Sequence, residues 1–149
     1  MMELDDIDKK ILNVLSKEAK LSFRDVSKKV GISPATVMNR VRLLEKEGII
    51  KRYAASINYE KAGYDVGVVI HVRVSKGRLM DVEKKIASDP HVVSLYDITG
   101  HFDAIVVAYF KNRRALDNFL KKIQTYDFVE RTETVIILNA IKEGNAEIG

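Results

Sequence analysis

Residues 31–45 have the sequence GISPATVMNRVRLLE, which decides the fold of the N-terminal third. Ser33 is placed to cap a helix, and Pro34 follows at the first helical position, where its missing N–H costs no hydrogen bond. The apolar side chains recur at helical spacing, at Val37, Val41 and Leu44. Together these features predict a helix from Ser33 to Glu47, ended by Gly48.

Two further helices precede this one. An amphipathic helix is predicted from Asp5 to Glu18. Its apolar residues repeat at helical spacing, at Leu4, Ile7, Ile11, Leu12 and Leu15. Ser22 and Asp25 have the spacing of a capping box, so a second helix begins there and ends at Gly31. Only Gly31 and Ile32 separate it from the third helix. That connection is too short for an antiparallel hairpin and predicts a helix-turn-helix.

The face of the third helix opposite its apolar stripe carries groups that suit DNA bases. Successive residues turn by about 100°, which brings four residues to that face: Ala35, Asn39, Arg42 and Lys46. Thr36 and Arg40 fall on its flanks. Asparagine suits adenine, arginine suits guanine or phosphate, and the threonine methyl suits thymine. The alternative is a solvated polar face, but acidic residues appear only near the far end, at Glu45 and Glu47.

A β-prone run, residues 49–53, follows the third helix and includes the adjacent cations Lys51 and Arg52. It predicts the start of a wing strand that lies near the phosphate backbone of DNA. The complete set of predicted DNA-binding residues is Ser33, Ala35, Thr36, Asn39, Arg40, Arg42, Lys46, Lys51 and Arg52.

The net charge of the chain lies entirely in this N-terminal third. Residues 1–53 hold 12 basic and 8 acidic residues, whereas residues 54–149 hold 13 of each, so the whole excess of +4 precedes residue 54. Such a basic field attracts a polyanion, because contacts with phosphates release condensed counterions. A solvated basic surface is the ordinary alternative.

The remaining two thirds alternate strand and helix patterns. Strands are predicted at residues 66–74, 92–98, 104–110 and 129–141, with helices over residues 79–87 and 116–123. This βαββαβ order is the ferredoxin-like arrangement, so the chain is of the α+β class. The sheet face away from the helices also carries apolar residues, which predicts that another subunit covers it.

We therefore expect three segments. Residues 1–53 form a winged helix-turn-helix domain that binds double-stranded DNA, residues 54–60 form a linker strand, and residues 61–149 form the ferredoxin-like domain. The alternation of small, polar and apolar residues from Ala54 to Tyr59 is typical of a strand.

A turn in the ferredoxin-like domain offers groups that suit a small zwitterion. Gly100 gives the backbone freedom, and Asp103 can accept an amine while N–H groups of the loop hold a carboxylate. Thr132 and Thr134 lie on one side of the last strand. An ordinary hairpin turn and an ordinary strand explain these residues equally well.

Composition excludes several classes of protein. The chain has no cysteine, which rules out disulfides, thiol catalysis and cysteine-ligated metals. Its histidines, at positions 71, 91 and 101, have no tight metal-ligand spacing, so we expect no metal, cofactor or catalytic residue. The longest apolar run, residues 66–72, is far short of the ~20 residues that span a bilayer. With its acidic N-terminus, the chain is expected in the cytoplasm rather than in a membrane or secreted.

Several short motifs, taken together and in order, resemble the Lrp/AsnC (feast/famine) family of regulators. They are LDDID with IL after it at residues 4–12, GISPATV at 31–37, RVRLLE at 40–45, GII at 48–50, TG at 99–100 with Asp103, and TET at 132–134. The resemblance covers nearly the whole chain. It implies a winged helix-turn-helix domain, a linking strand and a ferredoxin-like effector domain.

The resemblance also implies partners. Family members pair sheet against sheet into homodimers, which assemble into tetramers or octamers, and most bind a free amino acid between dimers. Carried over to this chain, the effector site comprises Gly100, His101, Asp103, Thr132 and Thr134. Phe102 stands where many members have tyrosine.

Two other functions remain open on the sequence alone. One is a DNA-compacting architectural protein without an effector, which needs the same basic domain. A change in DNA binding on addition of a ligand separates it from a regulator. The other is a metabolic enzyme of ferredoxin-like fold with a helical appendage. No thiol, close His–carboxylate cluster or phosphate-cradling glycine loop supports it.

Overall fold

The computed structural model describes residues 2–149, which divide into two compact units. Residues 2–56 and 141–149 form unit 1, and residues 57–140 form unit 2. The structure places these boundaries differently from the sequence, which assigned the C-terminal segment to the ferredoxin-like domain. Met1, at the start of the predicted DNA-binding domain, lies outside the described residues.

Unit 1 contains three helices whose ends follow their capping residues. They are α1 (Asp6–Lys17), α2 (Phe23–Val30) and α3 (Pro34–Lys46). Ser22 and Asp25 form the predicted capping box at the start of α2. Gly31 ends α2 in the left-handed conformation, with φ of 81°, which glycine adopts without steric cost. Ser33 caps α3, with Pro34 in its first turn, as predicted.

One apolar cluster holds these helices together. Each helix contributes residues that are almost completely buried, namely Ile11, Val26, Val37, Val41 and Leu44. Removing this much apolar surface from water is the main stabilising contribution to so small a unit. The inward stripe of α3 is the one that the sequence pattern predicted.

The predicted wing strand and linker strand are both wrong for the single chain. Ile49 and Ile50 donate their N–H groups to the carbonyl of Leu44, and residues 51–58 have no regular secondary structure. A strand requires a neighbouring strand for its hydrogen bonds. Within the described residues, none lies beside this segment.

Unit 2 has the predicted βαββαβ order. Its elements are β1 (Val66–Val74), α4 (Leu79–Lys85), β2 (Val92–Asp97), β3 (Ala104–Phe110), α5 (Arg113–Gln124) and β4 (Val129–Ile136). The four strands form an antiparallel sheet in the order β2-β3-β1-β4. The α+β, ferredoxin-like prediction is confirmed, and β4 lies within the predicted range of residues 129–141.

The two faces of this sheet have different environments. Alternate residues of β1 and β3 face α4 and α5 and form a closed core that includes Ile70, Val106 and Phe119. The opposite face, which we call the outer face, carries a row of valines across three strands, Val107, Val69 and Val135. Val135 is 47% exposed, so the described residues leave this row partly uncovered.

The C-terminal segment, residues 141–149, lies against α1. The side-chain amide of Asn13 forms two hydrogen bonds with the backbone of Ile148, each 2.9 Å long. Asn145 donates to the carbonyl of Ser16 at 3.4 Å. The chain therefore returns to unit 1 after completing the sheet of unit 2.

Candidate functional site

The residues exposed on α3 are the ones that the helical spacing predicted. Four of the residues predicted to contact DNA are exposed on one side of this helix, Ala35, Asn39, Arg42 and Lys46. The opposite side is anchored in the core of unit 1 by its buried valines and leucine. The helix therefore presents an amide, a guanidinium and an ammonium from a fixed backbone.

The hydroxyl groups in the first turn of α3 serve the helix itself. The Oγ of Ser33 accepts a hydrogen bond from the N–H of Thr36 at 3.1 Å and lies 2.8 Å from the Thr36 Oγ1. Capping of this kind stabilises a helix by roughly 1 kcal/mol. Both residues remain predicted DNA contacts, with Ser33 exposed and Thr36 half-buried.

Arg40 differs from the other predicted DNA contacts. Its guanidinium is paired with the carboxylates of Asp5 and Asp8 at the start of α1, and the distance from its Nη1 to the Asp8 Oδ1 is 3.1 Å. Asp5 and Arg40 are 35 residues apart in the sequence, so helical periodicity does not predict that they pair. The structure thus gives Arg40 two partners inside unit 1, which the sequence did not predict.

The segment after α3 is attached to the helix by one side-chain contact. The Tyr53 hydroxyl donates a hydrogen bond to the Glu45 carboxylate at 2.8 Å. Burial of the phenol and this carboxylate raise the pKa of Tyr53 to about 12. Lys51 and Arg52 are both exposed. They remain predicted phosphate contacts, carried by an irregular segment and not by a strand.

The predicted effector loop, residues 98–103, joins the edge strand β2 to β3. Gly100 has φ of 115°, a conformation that L side chains rarely adopt. One oxygen of the Asp103 carboxylate is used within unit 2, because its Oδ2 accepts the N–H of Val74 at 2.7 Å. The Asp103 N–H donates to the carbonyl of Val72 at 3.0 Å. This residue therefore ties the loop to β1.

Two more contacts fix the loop over the outer face. Arg73 donates to the carbonyl of His101 at 3.3 Å. The Phe102 ring lies 5.4 Å from the His71 ring and 5.8 Å from the Arg131 guanidinium carbon. The side chain of His101 is exposed.

The two threonines of the predicted effector site lie on the other side of the sheet. Thr132 pairs with Val72 and Thr134 with Ile70 in the β4–β1 register. Since Val72 and Ile70 belong to the core beneath the helices, both threonines face the helical layer. Thr132 accepts a weak hydrogen bond from Gln124 of α5 at 3.4 Å. One chain therefore does not bring the five predicted residues into one pocket.

Two protein families match the chain, and the range of one extends past unit 2 into the C-terminal segment. Residues 67–147 match the family described as the Lrp/AsnC ligand binding domain, and residues 4–51 match winged helix-turn-helix DNA-binding. The chain belongs to the Lrp/AsnC family. It is therefore a DNA-binding transcription regulator, as the sequence resemblance predicted.

Two transcriptional regulators match over nearly the full length. An HTH-type transcriptional regulator of Pyrococcus furiosus is 38% identical over 142 residues, covering 95% of this chain and 96% of that relative. HTH-type transcriptional regulator FL11 of Pyrococcus horikoshii is 38% identical over 140 residues, covering 94% of this chain and 93% of FL11.

Two solved structures have the same fold. E. coli AsnC superposes with a TM-score of 0.88 at 28% identity, covering 99% of this chain and 100% of AsnC. A transcriptional regulator of Neisseria meningitidis, solved as its L-Met complex, superposes with a TM-score of 0.91 at 27% identity, covering 99% of this chain and 97% of that one.

Two other kinds of site are missing from the described residues. Residues 2–149 contain no group of three or more histidine or carboxylate side chains that is placed to hold a metal ion. No helix among them is long and apolar enough to cross a membrane.

Proposed function

We propose that the exposed face of α3 reads the base sequence of double-stranded DNA, with Asn39 and Arg42 as the principal base contacts. The observation that carries this proposal is their exposure on one side of a helix whose other side is buried. Asparagine bonds adenine and arginine bonds guanine in the major groove. Lys51 and Arg52 contact phosphates, and the protein acts in the cytoplasm, where its DNA lies.

A free amino acid is the proposed effector, bound at the loop around Gly100. The ligand-binding family of unit 2 and the L-Met complex of the Neisseria regulator support this ligand class. The loop offers backbone N–H groups for the carboxylate, and the exposed His101 lines the site. A chain of a neighbouring dimer supplies Thr132 and Thr134, because in every copy they face the helical layer and not the outer face.

The dimer forms when a second copy of the chain binds through the outer face of the sheet. The valine row of β3, β1 and β4 is apolar and partly uncovered, which is typical of a surface that another subunit buries. Pairing through one shared face gives a two-fold dimer, which suits two-fold symmetric DNA sites. Such dimers assemble further into tetramers or octamers. The chain works by binding and carries out no catalytic reaction.

The test combines selection of DNA with a panel of ligands. Duplexes are selected from a random pool, and the affinity of the protein for the enriched duplex is then measured with each of the twenty amino acids. We expect an enriched two-fold symmetric sequence and at least one amino acid that changes the affinity. Binding without sequence enrichment, unaffected by all twenty, would instead support an architectural protein without an effector.

A further inference from the structure

Arg40 lies on the helix proposed to read DNA, yet its guanidinium is directed into unit 1. The side chain of Asp8, one of its two partners, is only 2% exposed, whereas that of Arg40 is 30% exposed. A carboxylate so deeply buried requires a cation and hydrogen bonds to remain charged. Arg40 supplies the cation, so the pairing is part of the folded structure of unit 1.

The two carboxylates divide their oxygens between α1 and Arg40. The Asp5 Oδ1 accepts the N–H groups of Ile7 and Asp8, at 3.0 and 2.9 Å, while its Oδ2 accepts Arg40. The Asp8 Oδ2 accepts the Asp5 N–H at 3.2 Å, while its Oδ1 accepts Arg40 at 3.1 Å. The first turn of α1 and the middle of α3 are thereby joined. We call these three side chains the Arg40 network.

The Arg40 network contacts α3 beside the residues proposed to read DNA, where rotation of the helix about its axis changes which side chains face the bases. Arg40 follows Asn39 directly and lies two residues before Arg42, and successive side chains diverge by about 100° around a helix. A small roll of α3 therefore changes which side chains face the DNA. The apolar stripe permits such a roll more readily than a directional guanidinium–carboxylate pair, because hydrophobic contact is non-directional.

We infer that Arg40 is a positioning residue, which sets the rotation of α3 through Asp5 and Asp8 so that the helix presents its reading face to the bases. This inference rests on the proposed use of α3 for DNA recognition. It replaces the direct DNA contact that the sequence predicted for Arg40. It also assigns a role in sequence selectivity to Asp8, a buried residue of a different helix.

The two roles of Arg40 predict opposite results for Asp8. If Arg40 contacts phosphate, Asp8→Asn releases the guanidinium and removes a negative charge, so affinity for every duplex stays the same or rises. If Arg40 positions α3, Asp8→Asn and Arg40→Met damage the same network. Both then lower the preference for the selected duplex, and the double variant loses no more than either single one.

The experiment measures the affinities of the full-length protein for the selected duplex and for a random duplex, at several salt concentrations. The variants are Arg40→Met, Asp8→Asn, their double variant and the milder Asp5→Asn. Arg42→Met serves as a matched arginine on the exposed face. We expect the network variants to lower the ratio of the two affinities by at least about tenfold, comparable to one mismatched base pair.

The salt dependence distinguishes the roles further. We expect the network variants to keep the wild-type slope of log affinity against log salt, since no phosphate contact is lost. An Arg40→Met slope reduced by about 0.9, with unchanged selectivity for Asp8→Asn, would overturn the inference. Should Asp8→Asn fail to fold, as judged by circular dichroism, Asp5→Asn and Arg40→Met decide the outcome. Wild-type protein that binds no duplex would overturn the proposed function, and this inference with it.

Discussion

Asn39 and Arg42 are the residues on which the proposed sequence preference depends most. Both are exposed on α3, and each has the donor groups for a base edge. We expect alanine at either position to weaken binding to the selected duplex by about 1–3 kcal/mol and to relax the preference at the base that it contacts. Fluorescence anisotropy with duplexes substituted one base pair at a time measures both effects.

Lys51 and Arg52 differ from Asn39 and Arg42 in the part of DNA that we expect them to contact. As exposed cations on an irregular segment, they are expected to contact phosphates only. Alanine at either position should weaken binding to all duplexes equally and reduce the salt slope by about one per lost contact. An unchanged salt slope would exclude a phosphate contact by this segment.

Asp5 makes the stability of unit 1 dependent on pH. The N–H of Asp8 and the Arg40 guanidinium hold the pKa of the Asp5 carboxyl below its ordinary value of 3.8. A carboxyl with a lower pKa in the folded state stabilises the fold above its unfolded pKa, and that contribution is lost as the pH falls through the folded value. We therefore expect unit 1 to lose stability as the pH falls below about 4.

Thermal unfolding of Asp5→Asn, measured across this pH range, tests the expectation. The variant should be less stable than wild type at neutral pH, and the difference should shrink as the solution becomes more acidic. Asp6→Asn, at the exposed position next in the chain, is the matched control. A constant difference between wild type and Asp5→Asn at all pH values would contradict the role of this carboxylate.

Residues with local partners were the ones that the sequence placed correctly. The caps at Ser22 and Ser33 depend on neighbours within one helical turn, so the spacing alone identifies them. Arg40 and Asp103 take partners 32 and 29 residues away, at Asp8 and Val74. Their side chains satisfy groups that only the tertiary fold brings near, which periodicity does not record.

At the scale of elements, the C-terminal segment stabilises α1. Two hydrogen bonds between Asn13 and Ile148 hold it there. Since one hydrogen bond contributes roughly 0.5–1.5 kcal/mol net, we expect Asn13→Ala to destabilise unit 1 by about 1–3 kcal/mol. Deletion of residues 141–149 should have at least the same effect.

Urea unfolding of the full chain, followed by helical circular dichroism, measures this effect. Asn118→Ala, at an exposed position on α5, is the control and should change stability little. Equal stability of Asn13→Ala and wild type would show that the segment lies on α1 without stabilising it.

The elements that the sequence misjudged are those that depend on a neighbouring strand. The pattern of residues 49–60 is β-prone, but no strand of the described chain lies beside it, and residues 51–58 are irregular. The helices were placed well because their hydrogen bonds lie within the segment.

At the scale of the whole molecule, the outer face should determine assembly. We expect light scattering at micromolar concentration to give a mass well above the 16.9 kDa of one chain. Val107→Glu places a charge at the β3 end of the valine row and should dissociate the dimer, because burying an unpaired charge is costly. It leaves the core beneath the helices unchanged, since Val107 lies on the opposite face.

Met80→Glu is the control for this variant, because Met80 is 65% exposed and lies on α4, in the helical layer. It should leave the mass unchanged. If Val107→Glu has the mass of the wild-type assembly, the outer face is not the dimer interface.

The return of residues 141–149 to unit 1 makes unit 2 an insertion in the DNA-binding unit rather than a domain appended to it. A chimera that joins two relatives at the single linker after Ser56 would bring a foreign C-terminus to α1, where this chain's own residues 145 and 148 bind. The exchangeable cassette is residues 57–140, transplanted with both of its junctions. For the same reason, a tag fused after Gly149 is a modification of the DNA-binding unit.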